Sequence, residues 1–255
     1  MKIGIIGLGL IGGSIFKSLK KYENYDVIGI SSSVKNEENV FSDYEKLKEC
    51  HLIFVCTPMN VTISVLEKLE SIVSNETIVT DVCSLKEFVS QKEYSFKFIP
   101  SHPMAGTENQ GWKASFAELF IGANWVITPF KGEVLPEQEI LENVIKDLGA
   151  NIIITTPEEH DKAVSLISHM PLVIAQALCE NIRDNKLAQV LAASGFKDTT
   201  RLALSNVEMA NDMVTLNIDN INKSLNSLKL AVNRLLEDDY INKAQQIKEF
   251  RKNLY

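Results

Sequence analysis

Residues 7 to 12 read Gly-Leu-Gly-Leu-Ile-Gly, directly after the apolar run KIGII (2–6) and directly before a helical pattern. In a strand–turn–helix unit each glycine of such a loop has its own task. The first permits the tight turn, the second lets the backbone approach a pyrophosphate, and the third lets the helix pack close to the strand. The helix start then directs unpaired N–H groups at the anion. The backbone of Gly7, Gly9, Leu10, Ile11 and Gly12 is therefore the expected cradle of a dinucleotide cofactor.

The loop constrains the fold because the chain continues in the same alternation. YDVIGI (25–30), HLIFVCT (51–57), ETIVTDV (76–82), FKFIP (96–100), NWVITP (124–129) and ANIIIT (150–155) read as strands, nearly continuous in apolar residues as parallel strands covered on both faces are. Helical spacing falls at 15–21, 61–73, 85–92 and 137–148, the last ended by Gly149. The pattern predicts an α/β fold: a Rossmann-type, doubly wound parallel sheet over 1–156. After Pro157 no strand-like run remains, and four or five helices predict an all-helical second domain over 157–255. There Ile218, Ile221, Leu225, Leu228, Val232 and Leu235 are spaced 3, 4, 3, 4 and 3 apart, a seam that suits either bundle packing or a helix–helix dimer contact.

Composition narrows the partners. Twenty-six Lys and Arg against 33 Asp and Glu give a net charge of −7 with no block of like charge, which argues against nucleic acid or an anionic membrane. Cys50, Cys56, Cys83 and Cys179 form no CxxC pair and read as reduced, buried thiols of a cytoplasmic protein. The apolar start IGIIGLGLIGGSIF is interrupted by five glycines and lacks a small-residue cleavage site, so it does not read as a secretory signal. No other stretch is expected to approach the ~20 apolar residues of a membrane span.

Cofactor choice turns on the end of the second strand, GISSS. Ser31 stands 31 − 12 = 19 residues past the last glycine of the loop, where an acidic residue commonly holds the ribose hydroxyls. No carboxylate is there, no arginine is adjacent to hold a 2′-phosphate, and Lys35 is the nearby cation. NAD is the expected cofactor, with NADP left open. Thr57 and Pro58 of CTP, at the end of the third strand, are expected to meet the cofactor along the same edge.

TDVCSLK (80–86) and SHPMAGTENQG (101–111) also follow strands, which brings Ser84 and His102 to the edge where the nicotinamide should project. Pro103 biases His102 toward an extended backbone, with His102 opening a loop. HDKAVSLISHMP (160–171) carries His160 and His169 nine residues apart, opposite faces of a regular helix, so no shared metal is expected: one faces the site while the other caps or packs. In SGFKDTTRLA (194–203) Gly195 breaks the chain, Asp198 is the expected helix cap, and Arg201 in the first turn offers a carboxylate site.

Together GLGLIGGS, TDVCSLK, SHPMAGTENQGWKASFAELFIGANWVITP, HDKAVSLISHMP and GFKDTTRLA, with MANDMVTLN as a weaker echo, resemble the prephenate/arogenate dehydrogenase family of tyrosine biosynthesis. The resemblance implies oxidative decarboxylation, with hydride passing to NAD(P)+ from the ring carbon that bears the hydroxyl. It implies that His102 takes the hydroxyl proton, that Ser84 shares that contact, and that Arg201 binds a substrate carboxylate. His169, Glu108 and Asp198 join the substrate-binding set, the two acids near the pocket mouth. A homodimer through the C-terminal helices is implied, and 255 residues leave no room for a mutase-like or regulatory domain beside the two halves.

Two departures bear on the substrate. Leu172 stands where many members carry a second histidine, with Gln176 one turn on as a polar substitute, and Ala210 stands where an aromatic residue is common. Prephenate is the expected substrate and arogenate the alternative. A β-hydroxyacid-type dehydrogenase would lean on a catalytic lysine, and a silent NAD-binding regulator would need neither His102 nor Arg201.

Overall fold

A computed structural model describes residues 1–107 and 109–254. Strands β1 (Lys2–Ile6), β2 (Asp26–Ile30), β3 (Val40–Phe41), β4 (Leu52–Val55), β5 (Ile78–Asp81) and β6 (Lys97–Phe98) form one parallel sheet in the order β3-β2-β1-β4-β5-β6. The strand order reverses between β1 and β4, so the loops leaving them flank the crevice where such sheets hold ligands.

The pleat sends alternate residues to opposite faces, and both faces are covered. Ile3, Ile5, Leu52 and Phe54 join Ile15, Phe16 and Leu19 of α1 (Leu10–Leu19) and Leu141, Val144 and Ile145 of α3 (Gln138–Asp147). Ile6, Ile53 and Val55 instead join Leu66 and Leu69 of α2 (Met59–Leu69), with Val164, Leu172, Ala210 and Met213 from the C-terminal half. The helical half is thus docked on the sheet through one continuous apolar layer.

The expectation of a single sheet is corrected at its far edge. β8 (Asn124–Ile127) pairs in parallel with β9 (Asn151–Ile154) and antiparallel with β7 (Ser101–Pro103), making a second, three-stranded sheet. The break falls at Pro100: Lys97 and Ile99 still donate to β5, while the Pro100 carbonyl, on the opposite edge, accepts from Thr128 N–H just after β8 at 2.9 Å. His102 consequently lies in a short strand rather than opening a loop. Segment 85–92 also departs from its helical reading: it is a series of turns, its first amides drawn to a side chain of the other half.

The second half is all-helical, as its pattern predicts, but the described residues form more helices than the four or five read from that pattern. α4 (Pro157–Val164) starts at Thr156, whose hydroxyl accepts from Glu159 N–H, with Pro157 in the first turn. It passes through a π turn at Ser165–His169 into α5 (Met170–Asn181), followed by α6 (Lys186–Leu191), α7 (Ser194–Thr199), α8 (Val207–Leu216), α9 (Ile218–Leu236) and α10 (Tyr240–Lys252). By length and composition the continuous helix Pro157–Asn181 could cross a membrane, contrary to the expectation that no stretch would approach a span. Its His160, Asp161, Ser165 and His169 are buried, while Leu166 and Ile167 are exposed. The thiols are unpaired, but not all buried: Cys179 is exposed and Cys56 half-buried.

Candidate active site

The glycine loop has the shape its spacing predicts. Gly7 is in the left-handed region at φ +88°, and a Cβ there would meet the Cys56 carbonyl oxygen at 2.6 Å. A Cβ on Gly12 would lie 2.1 Å from the Gly7 carbonyl oxygen, so α1 packs against the turn as only glycine allows. A Cβ on Gly9 would meet nothing within 4 Å. Gly9 therefore leaves an open approach at the head of α1, where no side chain caps the helix and Leu10 and Ile11 supply its first amides. These features fit a dinucleotide's pyrophosphate. Ser31 ends β2 with its hydroxyl turned back to accept from Val34 N–H at 3.1 Å. Across the crevice Thr57 pairs with Thr62, 3.0 Å between hydroxyls, and Pro58 opens α2.

At the end of β5 the backbone is pinned by a buried charged pair. Lys86 Nζ donates to Asp81 Oδ2 and, at 2.6 Å, to the Ser101 carbonyl; both side chains are fully buried. Asp81 also accepts from Cys83 N–H at 2.9 Å and Ser101 N–H at 3.2 Å. Ser101 is fixed further by Thr80, 2.8 Å away, and by the Trp125 indole N–H at 2.9 Å. With so many contacts on the residue before it, His102 has little freedom. Ser84, three residues after Asp81, is half-buried, and its hydroxyl reaches Met59 Sδ at 3.4 Å, at the start of α2. A thioether is a weak acceptor, so the hydroxyl keeps its capacity for a stronger partner.

The helical half completes the site with residues the spacing argument had placed apart. His102 Nδ1 lies 2.9 Å from His160 Nε2, and His160 Nδ1 lies 2.7 Å from Asp161 Oδ1. Asp161 in turn accepts from the backbone N–H groups of Lys86 and Glu87, each at 2.9 Å. His169 is also buried: its Nδ1 is 3.1 Å from the Asn217 amide nitrogen, which donates to the Asp161 carbonyl at 3.0 Å as well. Asn220 donates to the Asn217 side-chain oxygen at 2.8 Å and so fixes that amide's orientation. His169 Nδ1 is then an acceptor, its proton is on Nε2, and that buried donor has no protein partner among the described residues. The opposite-faces reading of His160 and His169 fails because the π turn between them takes up one extra residue, a lag of about 100° that brings both rings inward.

Electrostatics keep the two imidazoles neutral. Burial, then the neighbouring His160, Lys86 and His169, hold His102 well below the usual histidine range. Burial, against an opposing pull from Asp161, brings His169 down to about 4. A partly exposed, uncharged imidazole can accept a proton from a bound alcohol.

The remaining expected residues sit farther out. Asp198 is exposed inside α7 and does not cap it. Arg201 is exposed in a 3₁₀ turn (Arg201–Leu204) beyond the end of α7, not in the first turn of a helix. That turn is anchored by Leu202, which packs on the shared core, and Asn206 just after it reaches Gln110 of the His102 segment at 3.4 Å. Neither Asp198 nor Arg201 has a hydrogen bond or ion pair to His102 among the described residues, and Glu108 lies outside them. Leu172 is buried in the core, while Gln176 is exposed.

Comparison with known proteins gives matches along nearly the whole chain. Residues 21–154 match the nucleotide-binding domain of prephenate dehydrogenase, and 156–254 match its dimerization domain. A prephenate dehydrogenase of Bacillus subtilis (strain 168) is 32% identical over 240 residues, covering 85% of this chain and 64% of that protein. The chain thus spans less than two thirds of that relative's length. Among solved structures, Synechocystis arogenate dehydrogenase is 34% identical with a TM-score of 0.78, covering 100% of this chain and 96% of that one. Prephenate dehydrogenase from A. aeolicus, in complex with hydroxyphenyl propionate and NAD+, shares the fold at a TM-score of 0.88 and 24% identity, covering 100% and 98%.

Proposed function

The chain belongs to the prephenate dehydrogenase family, and we propose that it catalyses the oxidative decarboxylation of prephenate to 4-hydroxyphenylpyruvate in tyrosine biosynthesis. The observation that carries this reading is a neutral His102, braced by His160, on a strand tied through Ser101 to the end of β5, in a fold whose first sheet carries an open glycine cradle. Bound NAD+ supplies the hydride acceptor. Gly7, Gly9, Leu10, Ile11 and Gly12 hold its pyrophosphate, with Ser31, Thr57 and Pro58 along the same edge.

His102 takes the proton of the ring hydroxyl as the carbon bearing it is oxidised to a ketone, and Ser84 donates to the same oxygen. Withdrawing that proton makes the carbon a better hydride donor, a contribution of about 10²–10⁴ in rate for a positioned base. The ring carboxylate then leaves as CO2, and its electron pair restores aromaticity. The resulting phenolate oxygen can recover the proton from His102, so the residue ends the cycle neutral. Arg201 binds a substrate carboxylate, and His169 belongs to the same substrate-binding set. Glu108 and Asp198 take the gating or orienting role that the resemblance gives them.

In this reading 1–156 binds the cofactor, and 157–255 supplies substrate contacts and the homodimer interface of a cytoplasmic enzyme. Arogenate is the second candidate. A buried, apolar Leu172 offers the substrate's side chain no polar contact, and one similar structure is an arogenate dehydrogenase. The test is direct: purified protein with prephenate or arogenate, and NAD+ or NADP+, followed by the absorbance of reduced cofactor. Turnover of neither substrate would refute the assignment.

A further inference from the structure

We propose that Asp161 and His160 are positioning residues that hold His102 in a single tautomer, with its proton on Nδ1 and its lone pair on Nε2 facing the substrate hydroxyl. This rests on the reading of His102 as the base, and deepens it by naming the atom and what selects it.

The selection begins at Asp161. A carboxylate only accepts, and here three donors converge on it: Lys86 N–H and His160 Nδ1 on Oδ1, and Glu87 N–H on Oδ2. The two amides come from the turn immediately after Ser84, so the carboxylate is clamped to the segment that carries one member of the site. His160, 3% exposed, presents Nδ1–H to Asp161, and a ring with its one proton there has its acceptor at Nε2. His102 Nδ1, 2.9 Å from that acceptor, therefore donates. Its own acceptor can only be Nε2, on the far side of the ring.

The arrangement works in two ways. It removes the competing tautomer, in which Nε2 would carry a hydrogen and repel the hydroxyl proton. It also steadies the imidazolium formed when Nε2 takes that proton, because Nδ1–H then points at a ring polarised by a buried carboxylate, as an aspartate orients and stabilises the histidine in a Ser-His-Asp triad. No proton need move along the chain: one enters at Nε2 from the substrate oxygen and leaves from Nε2 to the product oxygen.

Long-range proton–nitrogen NMR on ¹⁵N-histidine-labelled wild-type protein, without cofactor and near neutral pH, reads the tautomers directly; the His102→Asn and His160→Leu proteins assign the signals. The proposal expects His102 and His160 both protonated at Nδ1 and bare at Nε2. A proton on His102 Nε2, or a doubly protonated His160, would overturn it. In turnover, His160→Leu should cost at least about tenfold in kcat while NAD+ binding, measured by titration, is unchanged. His160→Gln, whose amide oxygen can accept from Nδ1–H, should recover most of the loss. A folded His160→Leu enzyme with wild-type kcat would also overturn the proposal, and if that variant does not fold, the wild-type spectrum decides. The base reading fails separately, through undiminished turnover in His102→Ala, which leaves the tautomer result untouched.

Discussion

His169 shows how much of this site depends on single buried atoms. Its ring is neutral in the folded state, with the proton-accepting form favoured by burial and a value of about 4 against 6.5 for an ordinary histidine. The unfolded chain takes up a proton there from about pH 6.5, the folded chain only near pH 4. Stability present above pH 6.5 should therefore be lost on acidification, by ~3 kcal/mol from this residue by pH 4, and His169→Gln should flatten that part of a urea-denaturation series against pH. At the other end of the substrate, Arg201→Ala should raise the Michaelis constant about tenfold or more, ~1.4 kcal/mol, with kcat little changed. A pure kcat loss would argue against carboxylate binding. The positions of Ser84 after β5 and of His102 after β6 were legible in the sequence because each closely follows an apolar run. His160 was not, because its distance from His169 was counted on a regular helix, and a π turn gives no pattern of its own in residues 165–169. The Asp161 contacts join residues 74 and 75 apart and were likewise beyond any spacing argument.

At the level of elements, the glycine loop separates fold from binding. Gly12→Ala would put a methyl 2.1 Å from a backbone oxygen and should lower the melting temperature or prevent folding. Gly9→Ala meets no protein atom and should leave melting unchanged while weakening NAD+ binding, again by about tenfold or more. If both variants melt and bind alike, the cradle has been misread. The strand-and-helix alternation, the glycine turn and the switch to helices after Pro157 all follow from short continuous apolar runs, glycine spacing and a helical period near four residues, which local sequence carries well. The second sheet does not: 124–129 reads equally well as a further parallel strand, and only its partnership with Ser101–Pro103 decides the direction. Lys86 was hidden for a similar reason. A lysine usually reads as a solvated side chain, and this one is fully buried between Asp81 and the Ser101 carbonyl.

In the whole molecule the two halves are one machine, since His102 comes from the first and the His160–Asp161 pair from the second. Val164 and Leu172 of the long helix from Pro157 belong to the apolar layer that joins them. What the single chain leaves uncovered is on the helices: Leu187, Val190 and Leu191 on α6, and Val232 and Leu236 on α9, are exposed, and of the seam only Ile221 is fully buried. A second copy is the expected cover. Sedimentation at low micromolar concentration should show a dimer, and a clean monomer would refute the interface. The central claim, that a neutral His102 draws the hydroxyl proton as hydride departs, meets its most direct test in the His102→Asn protein. With prephenate and NAD+ the account predicts turnover reduced about 10²-fold or more, NAD+ binding and melting temperature intact. Undiminished turnover in a folded, NAD+-binding His102→Asn protein would contradict it.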